Sequence, residues 1–404
     1  MEKDINKQLE VIRRGAIEIF PEEELFQKLK RSIAKDRSLR VKCGFDPSAP
    51  DIHLGHTVLL RKLRQFQELG HTAVIIVGDF TAMVGDPSGR SKTRPQLTHE
   101  QTMENAQSYL DQVRKVVLSE RLEVVFNGEW FAKMDLVDIL RLTSKMTVAR
   151  MLERDDFAVR FKDGSPIAIS EFLYPLMQGY DSVMVRSDVE IGATEQKFNL
   201  LVGRGLQSNA GMEQQACITM PVLPGTDGVR RMGKSMGNYI GVDEHPKEMY
   251  GKVMSIPDDV MRQYFELLTE FSVEEIDVFL SDKTHPRDAK AALALRLVEM
   301  YHSTDAARKA AEEFDRVFRK GKMPEEIPPA PIPGDLVEGG TAEIIKLLRA
   351  AGLVSSNSDA RRMIQQGAVS VNGERITKID ARVPVEDGTI VQVGKRKFAS
   401  VKLS

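Results

Sequence analysis

The stretch Thr72-Ala-Val-Ile-Ile-Val77 narrows the fold more than any other, because it is six residues long with no polar alternation. Strands of this kind are covered on both faces, the situation of a parallel sheet packed between helices. Its surroundings agree. A strand over Leu39–Phe45 precedes a helix from Asp51 to about Gly70, whose Leu59, Leu60, Leu63, Phe66 and Leu69 keep one apolar face. Further strands are predicted over Leu122–Phe126 and Val183–Ile191. Helices are predicted over Glu100–Val117, Asp135–Arg154, Ser170–Asp181 and from Thr194 to about Leu206. Residues 1–38 read as two helices, the second announced by Pro21 and three glutamates. Alternating strands and helices predict an α/β, doubly wound parallel sheet with ligands at the C-terminal ends of its strands.

A chain of 404 residues has room for two or three such units. From Pro246 to Lys320 the text is almost wholly helical, with Asp288–His302 and Thr304–Arg319 amphipathic. Pro324, Pro328, Pro329, Pro331 and Pro333, before Gly339-Gly340, predict a linker over 321–340. The tail then reads helix (Ala342–Ala351), helix (Ser358–Gln366) and short strands (Ala368–Val371, Thr389–Val393, Phe398–Leu403), with a tight turn at Asn372-Gly373. From Thr341 onward there are eleven Lys/Arg against six Asp/Glu, whereas the whole chain has 57 against 59. A basic module on an acidic body points to a polyanion partner. Cys43 and Cys217 cannot form a disulfide framework and read as reduced core residues. No apolar run reaches membrane-spanning length, and the charged N-terminus is unlike a signal peptide, so a cytoplasmic protein is expected.

Chemistry enters at Asp51-Ile-His-Leu-Gly-His-Thr57, where the first of these helices opens. Histidines three apart share one side of the first turn, beside backbone N–H groups without partners. Such a place accepts an anion, and neutral imidazole donors suit a phosphate that gains charge. Gly55 between them lets a flat ring or ribose lie against the backbone. Alone, the motif reads equally well as a helix start with two surface histidines. A second stretch, Arg231-Met-Gly-Lys-Ser235 inside Gly228–Asn238, is a glycine-bracketed loop carrying a lysine and a hydroxyl. It can fold over a triphosphate and neutralise a leaving pyrophosphate, although a loop of this kind alone is more often a solvated basic loop.

Together the two stretches resemble the two signatures of class I aminoacyl-tRNA synthetases, with Arg231 and Gly233 departing from the usual Lys-Met-Ser-Lys-Ser. Between them, Tyr174-Pro-Leu-Met-Gln178-Gly-Tyr-Asp181 puts a phenol, an amide and a carboxylate on one helical face. That segment, Gly85-Asp86-Pro-Ser-Gly89 and Gly192-Ala-Thr-Glu-Gln196 resemble the bacterial type of tyrosyl-tRNA synthetase in order and spacing. The resemblance covers nearly the whole chain. It implies a nucleotide-binding catalytic domain over 1–240 with a dimerisation segment near 126–165, and a helical anticodon-region domain over 241–320. After the linker it implies a small α+β RNA-binding domain of ribosomal-protein type over 341–404.

The implied activity is ATP-dependent attachment of L-tyrosine to tRNA(Tyr) through a tyrosyl-adenylate, with Mg²⁺ on the ATP, no resident metal, and a homodimer as the working form. The resemblance gives His53, His56, Lys234, Arg231 and Ser235 the stabilisation of phosphate charge. Asp46 and Ser48 would touch the amino-acid or the ATP side of the adenylate, and Gly55, Gly192, Thr194, Glu195, Met232 and Gly233 would surround the nucleotide. Tyr174, Gln178 and Asp86 would hold the tyrosine ammonium, with Gln196 beside the amino acid. Asp181 would accept the phenolic hydrogen, although alone it reads as a helix-surface charge. Lys42 stands where many members carry a tyrosine that helps bind the substrate hydroxyl, and Glu190 where others carry glutamine; both are expected in the same pocket. Arg90, Lys92 and Arg94 would meet pyrophosphate or the tRNA acceptor end. Arg361, Arg362, Lys395, Arg396 and Lys397 would meet tRNA phosphates. Trp130, Phe131, Leu136–Leu142 and Met146–Met151 are apolar enough for the dimer contact, and a buried core would explain them equally well. Other readings are the tryptophan enzyme of the same class, a small-molecule nucleotidylyltransferase and a silent RNA-binding paralogue.

Overall fold

A computed structural model describes residues 1–47, 51–86, 99–318, 327–394 and 397–403, and the chain divides into two compact units, 1–304 and 305–404. In the first, α1 (Ile5–Arg13) is capped by Asp4, and α2 (Glu22–Lys35) begins behind Pro21 with its three glutamates in the first turn. Between them lies a strand absent from the sequence reading, β1 (Glu18–Phe20), antiparallel to β6 (Ala216–Met220) at the sheet edge. Three residues at an edge carry no period to read. With β2 (Arg40–Phe45), β3 (Thr72–Val77), β4 (Leu122–Phe126) and β5 (Val189–Ala193) they form one sheet in the order β1-β6-β5-β2-β3-β4. All neighbours except β1 and β6 run parallel. The doubly wound sheet expected from Thr72–Val77 is therefore present, and both cysteines lie buried and free in it.

Helix α3 (Leu54–Glu68) buries Leu60, Leu63 and Phe66 and packs on β2, β3 and β5. Then come α4 (Thr81–Val84), α5 (His99–Val113) and α6 (Gly128–Phe131). The single helix expected over 135–154 is instead α7 (Leu136–Thr143) and α8 (Val148–Met151), followed by α9 (Asp155–Lys162). Start signals inside the run explain the break: Asp135 and Asp138 form a capping box, and the Thr147 hydroxyl accepts the Arg150 N–H. The strand expected from Val183 also gives way, because α10 (Ile169–Met184) continues through it and β5 begins only at Val189. Val183 and Val185 are apolar for another reason: they pack at the helix end, Val185 against Val74 and Ile76. A 3₁₀ turn over Thr194–Gln196 leads into α11 (Lys197–Asn209), which packs on α10, β5 and β6.

The expected helical stretch follows as α12 (Pro246–Met254), α13 (Met261–Leu268), α14 (Val273–Phe279) and α15 (Pro286–Tyr301). These helices fall inside the first compact unit, and α13 packs against α3.

The second unit holds α16 (Thr304–Phe318) from its second residue onward, β7 (Pro329–Ile332), β8 (Thr341–Glu343), α17 (Ile344–Ala350) and α18 (Asn357–Gln365). Strands β9 (Val369–Val371), β10 (Glu374–Ile376), β11 (Arg382–Pro384), β12 (Ile390–Val393) and β13 (Lys397–Leu403) complete it. Five of these strands form a sheet, β10-β9-β12-β13-β7, and β11 pairs with β8. Asn372 and Gly373, with φ of 47° and 86°, make the two-residue turn expected of them between β9 and β10. The proline-rich segment corrects an expectation. Residues 329–332 are an edge strand, with Ala330 and Ile332 buried and Pro329 and Pro331 exposed. Proline lacks an N–H, which an edge strand does not need on its open side.

Candidate active site

Strands β2 and β5 are neighbours from which the chain winds away in opposite directions, so a crevice opens at their C-terminal ends. The first signature lies there. His53 is the N-cap of α3, and the Nδ1 of His56 accepts its backbone N–H at 3.2 Å. The two rings stack with centroids 3.9 Å apart. The Tyr109 ring stands 6.2 Å from His56 and 5.6 Å from Phe45, the last residue of β2. Burial, with His56 and Lys234 nearby, pushes His53 down to about 2. Burial and Lys234 push His56 down to about 4. Both are neutral imidazoles at pH 7, and Nδ1 of His53 is buried without a partner among the described residues.

The second signature meets the first directly. The Leu54 N–H donates to the Ile240 carbonyl at 2.9 Å, and the Val242 N–H donates to the Ile52 carbonyl at 2.9 Å. A Cβ on Gly55 would lie 3.0 Å from the His53 ring and 3.5 Å from Cβ of Met232. Lys234 pairs with Asp51, and Arg231 pairs with Glu195 at 3.2 Å. Ser235 is exposed on a 3₁₀ turn beside Lys234. The loop is shaped by Asn238, a residue the sequence reading gave no role. Its Oδ1 accepts the Gly233 N–H at 3.0 Å, and its Nδ2 donates to Asp227 and to the Arg231 carbonyl. The available signal was an amide closing a glycine-rich loop.

On α10 the phenol, amide and carboxylate share a face as expected, but their partners differ. The Tyr174 hydroxyl donates to Asp46 at 2.8 Å, so a residue assigned to the nucleotide and one assigned to the ammonium are bonded. Burial, with Asp46 and Asp86 close by, raises the Tyr174 phenol well above its ordinary value, which keeps it a donor. Gln196 donates to Asp86 at 3.3 Å and accepts the Ala193 N–H. Asp181, 3% exposed, accepts from Trp130 Nε1 at 3.1 Å and from Asn127 Nδ2 at 3.3 Å. Burial raises its carboxyl to about 7; Glu190 adds to the rise, while Lys42, Asn127 and Trp130 oppose it. Asn127 and Trp130 follow β4, and the sequence reading gave neither a place in the pocket.

Lys42 and Glu190 are corrected by the geometry. Each is 0% exposed. The Lys42 ammonium donates to the Gln178 carbonyl at 2.8 Å, the Ser182 hydroxyl at 2.8 Å and Glu190 at 2.9 Å. An ammonium has three N–H groups, and all three are engaged within the protein. The Gln178 amide also faces inward, donating to Glu190 at 3.1 Å and accepting from Asn199 at 2.8 Å.

Residues 34–319 match the family model of class I tRNA synthetases of the tryptophan and tyrosine group, and residues 329–401 match a tyrosine–tRNA ligase C-terminal domain model. The chain belongs to the class I tRNA synthetases. A tyrosine–tRNA ligase of Carboxydothermus hydrogenoformans is 52% identical over 403 residues, covering 98% of each chain. One of Aquifex aeolicus is 50% identical, again with 98% of each covered. Among solved structures, tyrosyl-tRNA synthetase of Archaeoglobus fulgidus complexed with L-tyrosine aligns with TM-score 0.62 and 26% identity. That alignment covers 76% of this chain and all of the other.

In this class I synthetase Thr194 and Glu195 stand in the turn behind β5, beside Gly192. Ser48, Arg90, Lys92, Arg94, Lys395 and Arg396 lie outside the described residues. In the tail, Arg361 and Arg362 are exposed on α18, Arg362 pairing with Asp359 at 2.7 Å, and Lys397 donates to the Leu353 carbonyl at 3.0 Å. The segment read as either dimer face or core is divided. Phe131, Leu142 and Met151 are buried, whereas Leu136, Val137, Leu140 and Val148 are exposed. Beside it lies a cavity of about 550 Å³ lined by Trp130, Met134, Leu142, Tyr180 and Met184. Among the described residues no group of three His, Cys, Asp or Glu side chains is placed to hold a metal ion.

Proposed function

We propose that the chain is a tyrosine–tRNA ligase, joining L-tyrosine to tRNA(Tyr) through a tyrosyl-adenylate and releasing diphosphate and then AMP. The observation that carries the reading is Asp181, a buried carboxylate held by an indole and an amide on the helix face of Tyr174 and Gln178. It is an acceptor suited to a phenolic hydrogen. End-to-end relatives at about half identity bear the same activity in their names.

In the first step a tyrosine carboxylate oxygen attacks the ATP α-phosphorus. The bond to the bridging oxygen breaks, and its electron pair leaves with diphosphate. No side-chain nucleophile or base is required; position and charge stabilisation do the work. His53 and His56, neutral, donate to the phosphates without prior loss of a charge partner. Lys234 and Arg231 exchange Asp51 and Glu195 for the triphosphate, and Ser235 adds a hydroxyl. Asp46, Ser48, Gly55, Gly192, Thr194, Glu195, Met232 and Gly233 enclose the nucleotide. Mg²⁺ carried by ATP would supply further shielding of the phosphate charge. Asp86, Tyr174 and Gln196 form the ammonium end of the amino-acid slot, with the Gln178 amide turned behind it toward Glu190 and Asn199. The terminal ribose hydroxyl of tRNA then attacks the adenylate carbonyl, and AMP leaves.

Arg90, Lys92 and Arg94 meet the acceptor end or pyrophosphate, the helical region over 241–320 lies on the anticodon side, and the tail over 341–404 binds tRNA through Arg361, Arg362 and the 395–397 cluster. Exposed Leu136, Val137, Leu140 and Val148 support a homodimer built on this face. No described helix is long and apolar enough to cross a membrane, and work in the cytoplasm is proposed. ATP–diphosphate exchange with each amino acid in turn tests the reading. Exchange with tyrosine alone is expected; tryptophan as the preferred substrate, or no exchange at all, would overturn it.

A further inference from the structure

Behind the slot lies a closed polar cluster. Lys42 on β2 joins the Gln178 carbonyl and the Ser182 hydroxyl, the two ends of one turn of α10. Glu190 on β5 accepts from Lys42 and Gln178 on one oxygen. On its other oxygen it accepts from Ser182 at 2.9 Å and from Gln215, just ahead of β6. Lys42, Ser182, Glu190 and Gln215 are all 0% exposed. The cluster has a tight floor, since a Cβ on Gly203 of α11 would lie 2.7 Å from Gln215 Nε2 and 3.2 Å from both Glu190 Oε2 and Ser182 Oγ. None of the four side chains presents surface to solvent.

We infer that Ser182 and Gln215, with the Lys42–Glu190 pair, are positioning residues for tyrosine recognition, pinning α10 to the sheet so that Asp181 faces the phenol, and that none of the four touches tyrosine. The inference rests on the tyrosine reading above. Asp181 lies one residue from Ser182 on the turn that Lys42 clamps, so the rotation of that turn sets where its carboxylate points. The pair also sets the field there. The charged and titratable groups facing Asp181 are Lys42 from β2, Glu190 from β5 and Tyr174 from its own helix. With both members present their charges offset. Removing one leaves a buried charge uncompensated beside Asp181, whereas removing both does not.

The test measures KM and kcat for tyrosine and phenylalanine in ATP–diphosphate exchange, between pH 5.5 and 8.5, in the full chain. Wild-type exchange is measured first, and its absence would remove the tyrosine reading itself. Ser182→Ala is expected to raise KM for tyrosine about tenfold, with kcat within about twofold and phenylalanine little changed. Lys42→Met is expected to move the acid limb of the tyrosine KM profile to higher pH, and Glu190→Gln to lower pH. The double variant is expected to return it toward the wild type. Where Lys42→Met or Glu190→Gln folds poorly, Gly203→Ala, which presses a methyl into the cluster, is expected to reproduce the Ser182→Ala loss. An active enzyme whose limb stays fixed in both single variants, or whose tyrosine and phenylalanine KM rise together in Ser182→Ala, would overturn the inference.

Discussion

Asp181→Asn separates the two demands placed on that carboxylate. It is buried, and burial foremost lifts it from 3.8 to about 7. A carboxyl whose folded value lies above its unfolded value holds its proton longer in the folded state. Its contribution to stability is therefore complete below pH 3.8 and is lost as pH rises through about 7. A rise of this size corresponds to about 4 kcal/mol. Asparagine does not titrate, but it presents an NH₂ group to one of the two donors, Trp130 or Asn127, at a cost of about 1–2 kcal/mol. The variant should thus be more stable than wild type by about 2 kcal/mol at pH 8.5, and equal or less stable at pH 5.5. Urea unfolding at both pH values measures this, followed by the fluorescence of Trp130, the sole tryptophan and a direct neighbour of residue 181. Tyrosine affinity should fall by about 100-fold or more, and phenylalanine affinity far less. A stability difference independent of pH, or equal losses for both amino acids, would refute the reasoning.

Other expectations follow from the same structure. Lys62 is buried and donates to the carbonyls of Val11, Ile12 and Arg14, closing the end of α1. At pH 9.5 the neutral amine keeps two N–H groups for these three carbonyls, and Lys62→Met should cost about 2–4 kcal/mol there. Because burial and Arg14 depress the lysine to about 7, wild-type stability falls as pH drops toward that value, so the difference should narrow at pH 6.5, as urea melts at both pH values would show. Deleting 336–404 should weaken tRNA binding and flatten its dependence on salt, measured by filter binding across ionic strength; an unchanged salt slope would remove the tail from the interface. Leu140→Arg, on the exposed apolar face, should yield monomers by analytical ultracentrifugation, and dimers that persist would place the contact elsewhere.

Much of the fold was legible because burial on both faces leaves an unmixed apolar run, and Thr72–Val77 coincides with β3 residue for residue; Leu122–Phe126, a half-buried edge strand with Glu123 inside it, coincides with β4. Where apolar residues serve another purpose the reading slipped, as with Val183 and Val185 at the end of α10. Prolines also misled it, since Pro329 and Pro331 punctuate an edge strand rather than a linker. In the site, the two signatures announced themselves through unusual spacing, and they meet at Asp51–Lys234 and Gly55–Met232. The residues missed are ordinary amides, hydroxyls and an indole: Asn127, Trp130, Ser182, Gln215 and Asn238. Such side chains acquire a role only from what the fold sets beside them. Lys42 shows the converse, a charged residue expected in the pocket whose every donor is used on the protein.

The central claim is that His56 and Lys234, 178 residues apart in sequence, stabilise one charge on one triphosphate. The direct measurement is the single-turnover rate of tyrosyl-adenylate formation at saturating ATP and tyrosine in His56→Asn, which keeps an acceptor for the His53 N–H, and in Lys234→Ala. Each is expected to slow the step, Lys234→Ala by about 10²–10³-fold, with tyrosine affinity nearly unchanged and pyrophosphorolysis of the adenylate slowed in parallel. A wild-type rate in either variant, or a loss confined to tyrosine binding, would contradict the claim.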